Sequence, residues 1–179
     1  MGAGGEVRAC KNNNQPASMI RKLTPQDAEE VTRLLVANRE QHRPFLPLRS
    51  DAFFTVDAQR DLLTASDHVY GILDADVLAG TITLSNLVGD PFRSATVGYW
   101  VDDARRGRGL ATNAVAAIAE LAFGELELHR LEAATLVANQ ASQRVLEKNR
   151  FVRIGLAPHY LQIAGVWRDH LLFQRTIED

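Results

Sequence analysis

Two hydrophobic periods alternate along residues 19–175. Apolar positions three and four apart mark a helix at Val31, Leu34 and Leu35, ending near Asn38. The same spacing at Leu110, Ala114, Ala117, Ile118, Leu121 and Ala122 predicts a longer helix from 110 to about 125. A further helix is expected over 55–65, with Leu62 and Leu63 as its apolar contacts. Runs rich in β-branched and aromatic residues predict strands over 19–23, 69–73, 77–84, 94–101, 131–137, 151–156 and 166–173. Between the last two, 158–165 is expected to be irregular or a short strand. Thr24 followed by Pro25 is a helix start, and Asn139 caps a short helix running to about 149. Asp74-Ala75-Asp76 joins a hairpin, and Gly80 inside its second strand predicts a bulge or a crowded backbone. The implied order is β-α-α-β-β-β-α-β-α-β-β, an α/β domain.

Composition narrows the class. The chain has 179 residues, enough for one domain with a real core, expected over 19–179 behind a polar flexible tail at 1–18. Apolar residues make up 46% and charged residues 23%, the balance of a soluble globular protein. A formal net charge of −2 supplies no global field towards nucleic acid or an anionic membrane, so neither partner is expected. The single cysteine, Cys10, excludes an internal disulfide and a cysteine-based zinc site, and no metal is expected. No apolar run is long enough for a membrane helix and no signal peptide is visible, which predicts a cytoplasmic protein, monomer or homodimer.

The stretch carrying chemistry is 94–112, where a strand gives way to the loop Asp102-Asp103-Ala104-Arg105-Arg106-Gly107-Arg108-Gly109 and then to a helix. A helix N-terminus behind a glycine-rich loop offers unpaired N–H groups and partial positive charge to an anion. Gly107 and Gly109 let a phosphate approach without meeting a Cβ, and Arg105, Arg106 and Arg108 add attraction for anions. A plain turn explains the glycines equally well, and an Arg-Gly loop could also contact RNA. A Walker loop is excluded because no Gly-Lys-Ser/Thr follows, and Thr112 stands where Gly-x-Gly-x-x-Gly needs its third glycine.

Arg106-Gly107-Arg108-Gly109-Leu110-Ala111 resembles the Gln/Arg-x-x-Gly-x-Gly/Ala motif of the GCN5-related N-acetyltransferases (GNAT), and Asn139-x-x-Ser142 follows at the family's distance. The serine form, Asn38-Arg39-x-x-x-Arg43-Pro44-Phe45-Leu46-Pro47 and the run from Tyr160 to His170 are similar to the branch that acetylates N-termini of ribosomal proteins. The resemblance implies a three-layer sandwich whose mixed, mostly antiparallel sheet splays between the fourth and fifth strands, with about four helices. It implies acetyl-CoA as co-substrate. Backbone groups of Tyr99, Trp100 and Val101 would meet the pantetheine arm, and Arg106, Gly107, Arg108, Gly109, Leu110 and Ala111 the pyrophosphate. Asn139 would touch the pantetheine arm, a role compatible with capping its helix.

Many family members carry a tyrosine acid where this chain has Leu146, and leucine cannot give a proton. Ser142, one turn earlier, is the replacement that the ribosomal-protein branch offers; it could also be only a polar residue in the first turn of its helix. Arg150 stands where the family usually has glycine before Phe151. Candidate bases are Glu40 and His42 in the acceptor-lining segment, then His159 and Tyr160 in the late loop. The expected activity is acetyl transfer to an amine, with a protein N-terminus as leading acceptor. A small amine such as an antibiotic or polyamine is the alternative, and a non-catalytic acyl-CoA-binding module is the other class left open.

Overall fold

The computed structural model describes residues 19–177; the expected tail at 1–18 lies outside the described residues. Seven strands form one sheet: β1 Ile20–Lys22, β2 Val69–Asp74, β3 Val77–Val88, β4 Ser94–Val101, β5 Arg130–Leu136, β6 Val152–Ile163 and β7 Val166–Thr176. Their order is β1-β2-β3-β4-β5-β7-β6, and every neighbouring pair is antiparallel except β4 with β5. The helices are α1 Ala28–Ala37, α2 Arg39–His42, α3 Val56–Ala65, α4 Leu110–Gly124 and α5 Gln140–Lys148.

Strand alternation sends side chains to two faces, and each face has its own core. On one, Val115 and Ile118 of α4 and Leu146 of α5 cover Ile72, Ile82, Val97, Leu131, Leu171 and Phe173. On the other, Val31 and Leu34 of α1 and Leu63 of α3 cover Leu78, with Trp100 packed alongside. Leu63 is buried as expected, whereas Leu62 faces solvent. The predicted bulge at Gly80 is present, with a register shift opposite it between Ile72 and Leu73. A Cβ on Gly80 would collide with the Trp100 carbonyl oxygen. Across this irregularity consecutive residues belong to different cores, Leu78 to the α1–α3 side and Ala79 to the α4–α5 side.

β6 runs unbroken from Val152 to Ile163, so the segment 158–165, expected to be irregular or a short strand, is strand to Ile163 and turn at Ala164 and Gly165. It is an edge strand, where Pro158 removes no hydrogen bond that the sheet needs, and a register shift between Ala157 and Leu161 absorbs the distortion.

The end of α5 explains the residue before Phe151. Phe151 N–H donates to the Leu146 carbonyl at 3.1 Å and Arg150 N–H to Glu147 at 3.0 Å, the paired bonds of a Schellman termination. Leu146 and Phe151 close the motif as buried core residues. The termination needs a left-handed residue, and Arg150 supplies it at φ 62°. Arginine there is strained, and its charge opposes that of Arg175. Arg150→Gly is therefore expected to stabilise the fold by roughly 0.5–1 kcal/mol, seen as a rise in Tm, after allowance for the greater freedom of glycine in the unfolded chain. A lower Tm would show that the arginine side chain contributes more than its backbone strain costs.

Candidate active site

The parallel pairing of β4 with β5 is short. Ser94, Ala95 and Thr96 face Arg130, Leu131 and Glu132, and beyond Thr96 the strands are no longer paired. The gap opens into a cavity of about 760 Å³, walled by 97–101 on one side and 133–136 on the other. The loop before α4, the first turn of α5, the segment from Phe45 to Pro47 and the inner end of the β6–β7 hairpin complete it.

The end nearest α4 is built from backbone. Gly107 and Gly109 adopt φ of 76° and 78°, and a Cβ on either would meet nothing within 4 Å. The glycines are thus demanded by backbone conformation, and the space above them is open. Gly109 is the N-cap of α4 and has no side chain to cap the first-turn amides, and that turn carries no acid. Its N–H groups and dipole are left for an anion. The arginines do not provide the expected free attraction. Asp74 binds Arg105 at 2.6 Å and Arg108 at 2.9 Å, while Asp103 binds Arg106 at 2.5 Å. Three arginines are matched by Asp74, Asp102 and Asp103, so the loop's pull on an anion comes chiefly from its amides.

Asn38 holds this loop against the opposite helices. Its side chain is 2% exposed and fully used. The amide donates to the Leu34 carbonyl at 2.9 Å and to Asp102 at 3.0 Å, and its oxygen accepts from the Asp103 N–H at 2.7 Å. The α1–α2 corner and the start of the glycine loop are therefore one unit. Asn38→Ala leaves the Asp103 N–H without its partner, at about 1–3 kcal/mol, while the Asp102 oxygen keeps the Ala104 N–H. The expected result is a lower Tm together with weaker anion binding at the loop; a variant that loses stability alone would detach Asn38 from the loop.

On the α4–α5 face, the Tyr99 hydroxyl lies 2.8 Å from Ser142 Oγ and donates to the Ser142 carbonyl at 3.2 Å. Burial pushes the Tyr99 phenol up to about 12, with the Ser142 contact opposing, so it stays protonated. Ser142 does not cap α5. That role is taken by Asn139, whose oxygen accepts the Ser142 N–H at 3.1 Å. Leu146 is fully buried. The phenol in this site comes instead from β4, 43 residues before Ser142 in sequence. The nearby Thr135 hydroxyl is buried without a hydrogen-bond partner and lines the cavity.

On the opposite face, His42 ends α2 with its ring edge-on to Trp100, centroids 5.4 Å apart. Burial lowers its pKa, against a hydrogen bond to the Val101 backbone, which keeps the imidazole neutral at neutral pH. His170 also lines this side and is 3% exposed. Glu40 is exposed, faces Arg43 at 3.7 Å and does not line the cavity. Arg108 also lies off the lining, as do His159 and Tyr160. The structure thus brings together Ser142, His42, Tyr99, Trp100, Val101, Arg106, Gly107, Gly109, Leu110, Ala111 and Asn139. Sequence reasoning missed the Tyr99 side chain, Thr135 and His170. A histidine and a threonine interrupting apolar alternation were the available signals.

Residues 18–152 match the family model for the acetyltransferase (GNAT) domain. The chain belongs to the GNAT family. This acetyltransferase is 37% identical over 161 residues to the probable N-acetyltransferase YjcK of Bacillus subtilis, covering 84% of this chain and 89% of that protein. Among solved structures it is similar to the ribosomal-protein-S5-alanine acetyltransferase of Vibrio fischeri, with TM-score 0.86, 30% identity and coverage of 89% and 93%. It also matches Mycobacterium smegmatis RimJ in complex with CoA-disulfide, with TM-score 0.83, 29% identity and coverage of 88% and 80%. The enzyme is an N-acetyltransferase, and the splay between its fourth and fifth strands is that of its family.

Proposed function

We propose that this enzyme transfers acetyl from acetyl-CoA to the N-terminal α-amine of a protein, as in the ribosomal-protein branch of the family; such an acceptor would place its work in the cytoplasm. The observation that carries the acceptor class is the chemistry of the cavity wall. Among the described residues, the lining contains no aspartate or glutamate. An acceptor amine finds no carboxylate to hold it as a cation, and it enters uncharged. Deprotonation at pH 7 costs about 1 kcal/mol for an α-amine and about 5 kcal/mol for a lysine-like or polyamine nitrogen. Arg144 and Lys148 along the wall oppose polycations further.

The site fits an acyl-CoA. The open glycine loop and uncapped α4 amides suit a pyrophosphate, and the orphaned Thr135 hydroxyl suits a polar chain lying in the splay. Bound there, acetyl-CoA supplies an activated acetyl thioester. The unpaired edges of β4 and β5 hold and orient the chain that carries it. The Tyr99 hydroxyl, 2.8 Å from Ser142 Oγ, fixes the serine where its proton can reach the departing sulfur. The Trp100 and His42 side of the cavity receives the amine.

Thiol release from acetyl-CoA, measured against peptides beginning with alanine or serine and against spermidine, an aminoglycoside and free lysine, tests this reading. Turnover with the peptides and none with the polycations is expected. Preference for a polycation would reassign the acceptor, and CoA binding with no turnover on any amine would make the protein a binding module.

A further inference from the structure

We propose that His170 is the proton acceptor for the amine, an assignment that rests on the acetyl-transfer reading above. Three observations converge on it. The first is position. Alternation along β7 turns Leu171 and Phe173 to the α4–α5 core. His170 turns the other way, opposite Leu136 of β5 in register and on the face that carries Trp100. Ser142 and Tyr99 occupy the cofactor face, so a base at His170 and an acid at Ser142 address the same gap from opposite sides.

The second is the tautomer. His170 Nδ1 lies 2.9 Å from the Arg168 carbonyl oxygen. A carbonyl can only accept, so Nδ1 carries the proton and Nε2 of the neutral ring carries the lone pair. No described residue hydrogen-bonds Nε2, and it is not among the fully buried polar atoms left without a partner. The residue lines the cavity, which gives that lone pair access.

The third is elimination. Among the described lining residues, the side chains able to take a proton near neutrality are two imidazoles, His42 and His170. His42 sits on α2 with its ring edge-on to Trp100, whereas His170 lies in the sheet itself, opposite Leu136 of β5. Tyr160 of β6 has its ring centroid 5.4 Å from that of His170, Arg168 and Asp169 lie beside it on its own strand, and His42 lines the same cavity. Its register partners are Leu136 of β5 and Ala157 of β6, and Asp169 is engaged with the His159 N–H.

In the step, the amine lone pair forms the C–N bond to the thioester carbon and the C–S bond breaks. The amine's N–H proton passes to His170 Nε2, and the leaving thiolate takes a proton from Ser142. The imidazolium proton returns through solvent to the serine.

The test uses His170→Asn, because the asparagine amide can replace Nδ1–H as donor to Arg168 while removing Nε2. For the turned-over amine, kcat/KM is expected to fall about a hundredfold near pH 8, with acetyl-CoA affinity unchanged. The base works only when neutral, so wild type should lose activity on acidification with one more proton than the variant, and the two rates should converge as the pH falls. A purely structural histidine predicts that asparagine restores activity and that the acid limbs coincide, which would overturn the assignment. If peptides fail but another amine is acetylated, the acceptor reading falls and His170 is judged on that amine. A second measurement needs neither turnover nor a folded variant. In wild type, the His170 ring nitrogens followed by NMR should report Nδ1–H and free Nε2, and Nε2 should shift when a CoA–peptide conjugate binds. An unmoved Nε2, or the opposite tautomer, sinks the proposal.

Discussion

Gly109→Val is expected to weaken acetyl-CoA binding by about a hundredfold or more while the protein remains folded. The residue is the N-cap of α4, and its φ of 78° belongs to glycine. A β-branched side chain must either strain at that angle or turn the peptide, and turning it redirects the first-turn N–H groups away from the anion. Two charge-assisted bonds at about 1.5 kcal/mol each convert to roughly that loss of affinity. Nothing within 4 Å would clash with the new Cβ, so the effect does not come from a disrupted core. Gly109→Ala, with one methyl and less strain, should fall between. Calorimetry with CoA on variants whose Tm has been checked decides the matter. Unchanged affinity in a folded Gly109→Val protein would reduce the loop to a turn.

Ser142→Ala should lower kcat by about ten- to a thousandfold and leave the KM for acetyl-CoA nearly untouched. A thioester sulfur is a poor acceptor in the ground state and a good one as thiolate charge develops, so the bond strengthens only on the way to products. The geometry removes one competing explanation. The cap of α5 is Asn139, which uses the Ser142 backbone N–H and survives the substitution. A loss of about 1 kcal/mol in stability is therefore expected from Asn139→Ala and not from Ser142→Ala. Tyr99→Phe should reproduce part of the kcat loss, since it removes the group 2.8 Å from Oγ that sets which way the serine proton points. Normal turnover by Ser142→Ala would take serine out of the mechanism and leave the thiolate to depart unaided.

How much could be read from residues alone depended on whether the controlling interaction was local. The strand, glycine loop and helix over 94–124 announce themselves because period, punctuation and cap lie within one short stretch, and the structure follows them closely. Asn139 as N-cap is likewise a three-residue matter. What escaped depends on distant partners. The quenching of Arg105 and Arg108 comes from Asp74, which the sequence offers only as part of a hairpin turn. The phenol beside Ser142 comes from a strand whose tyrosine looked like ordinary β composition. Asn38 looked like the end of a helix, and its grip on Asp102 and Asp103 spans more than sixty residues. The segment 158–165 stays open between irregular and a short strand when read alone, because nothing local reveals that β6 is an edge.

The separation of β4 from β5 after Thr96 has a consequence for the lifetime of the protein. Backbone groups in 97–101 and 133–136 that a closed sheet would pair have no strand opposite them, so the native state carries an internal seam. A ligand bound along the seam protects those amides from hydrogen exchange and adds free energy that grows with its concentration, about 2.7 kcal/mol at one hundred times Kd. The two halves of the sheet are then held together by the substrate itself. If the ligand is the acyl-CoA proposed above, resistance to heat and to proteolysis should track its supply, making the persistence of the enzyme, and not only its rate, a function of that metabolite.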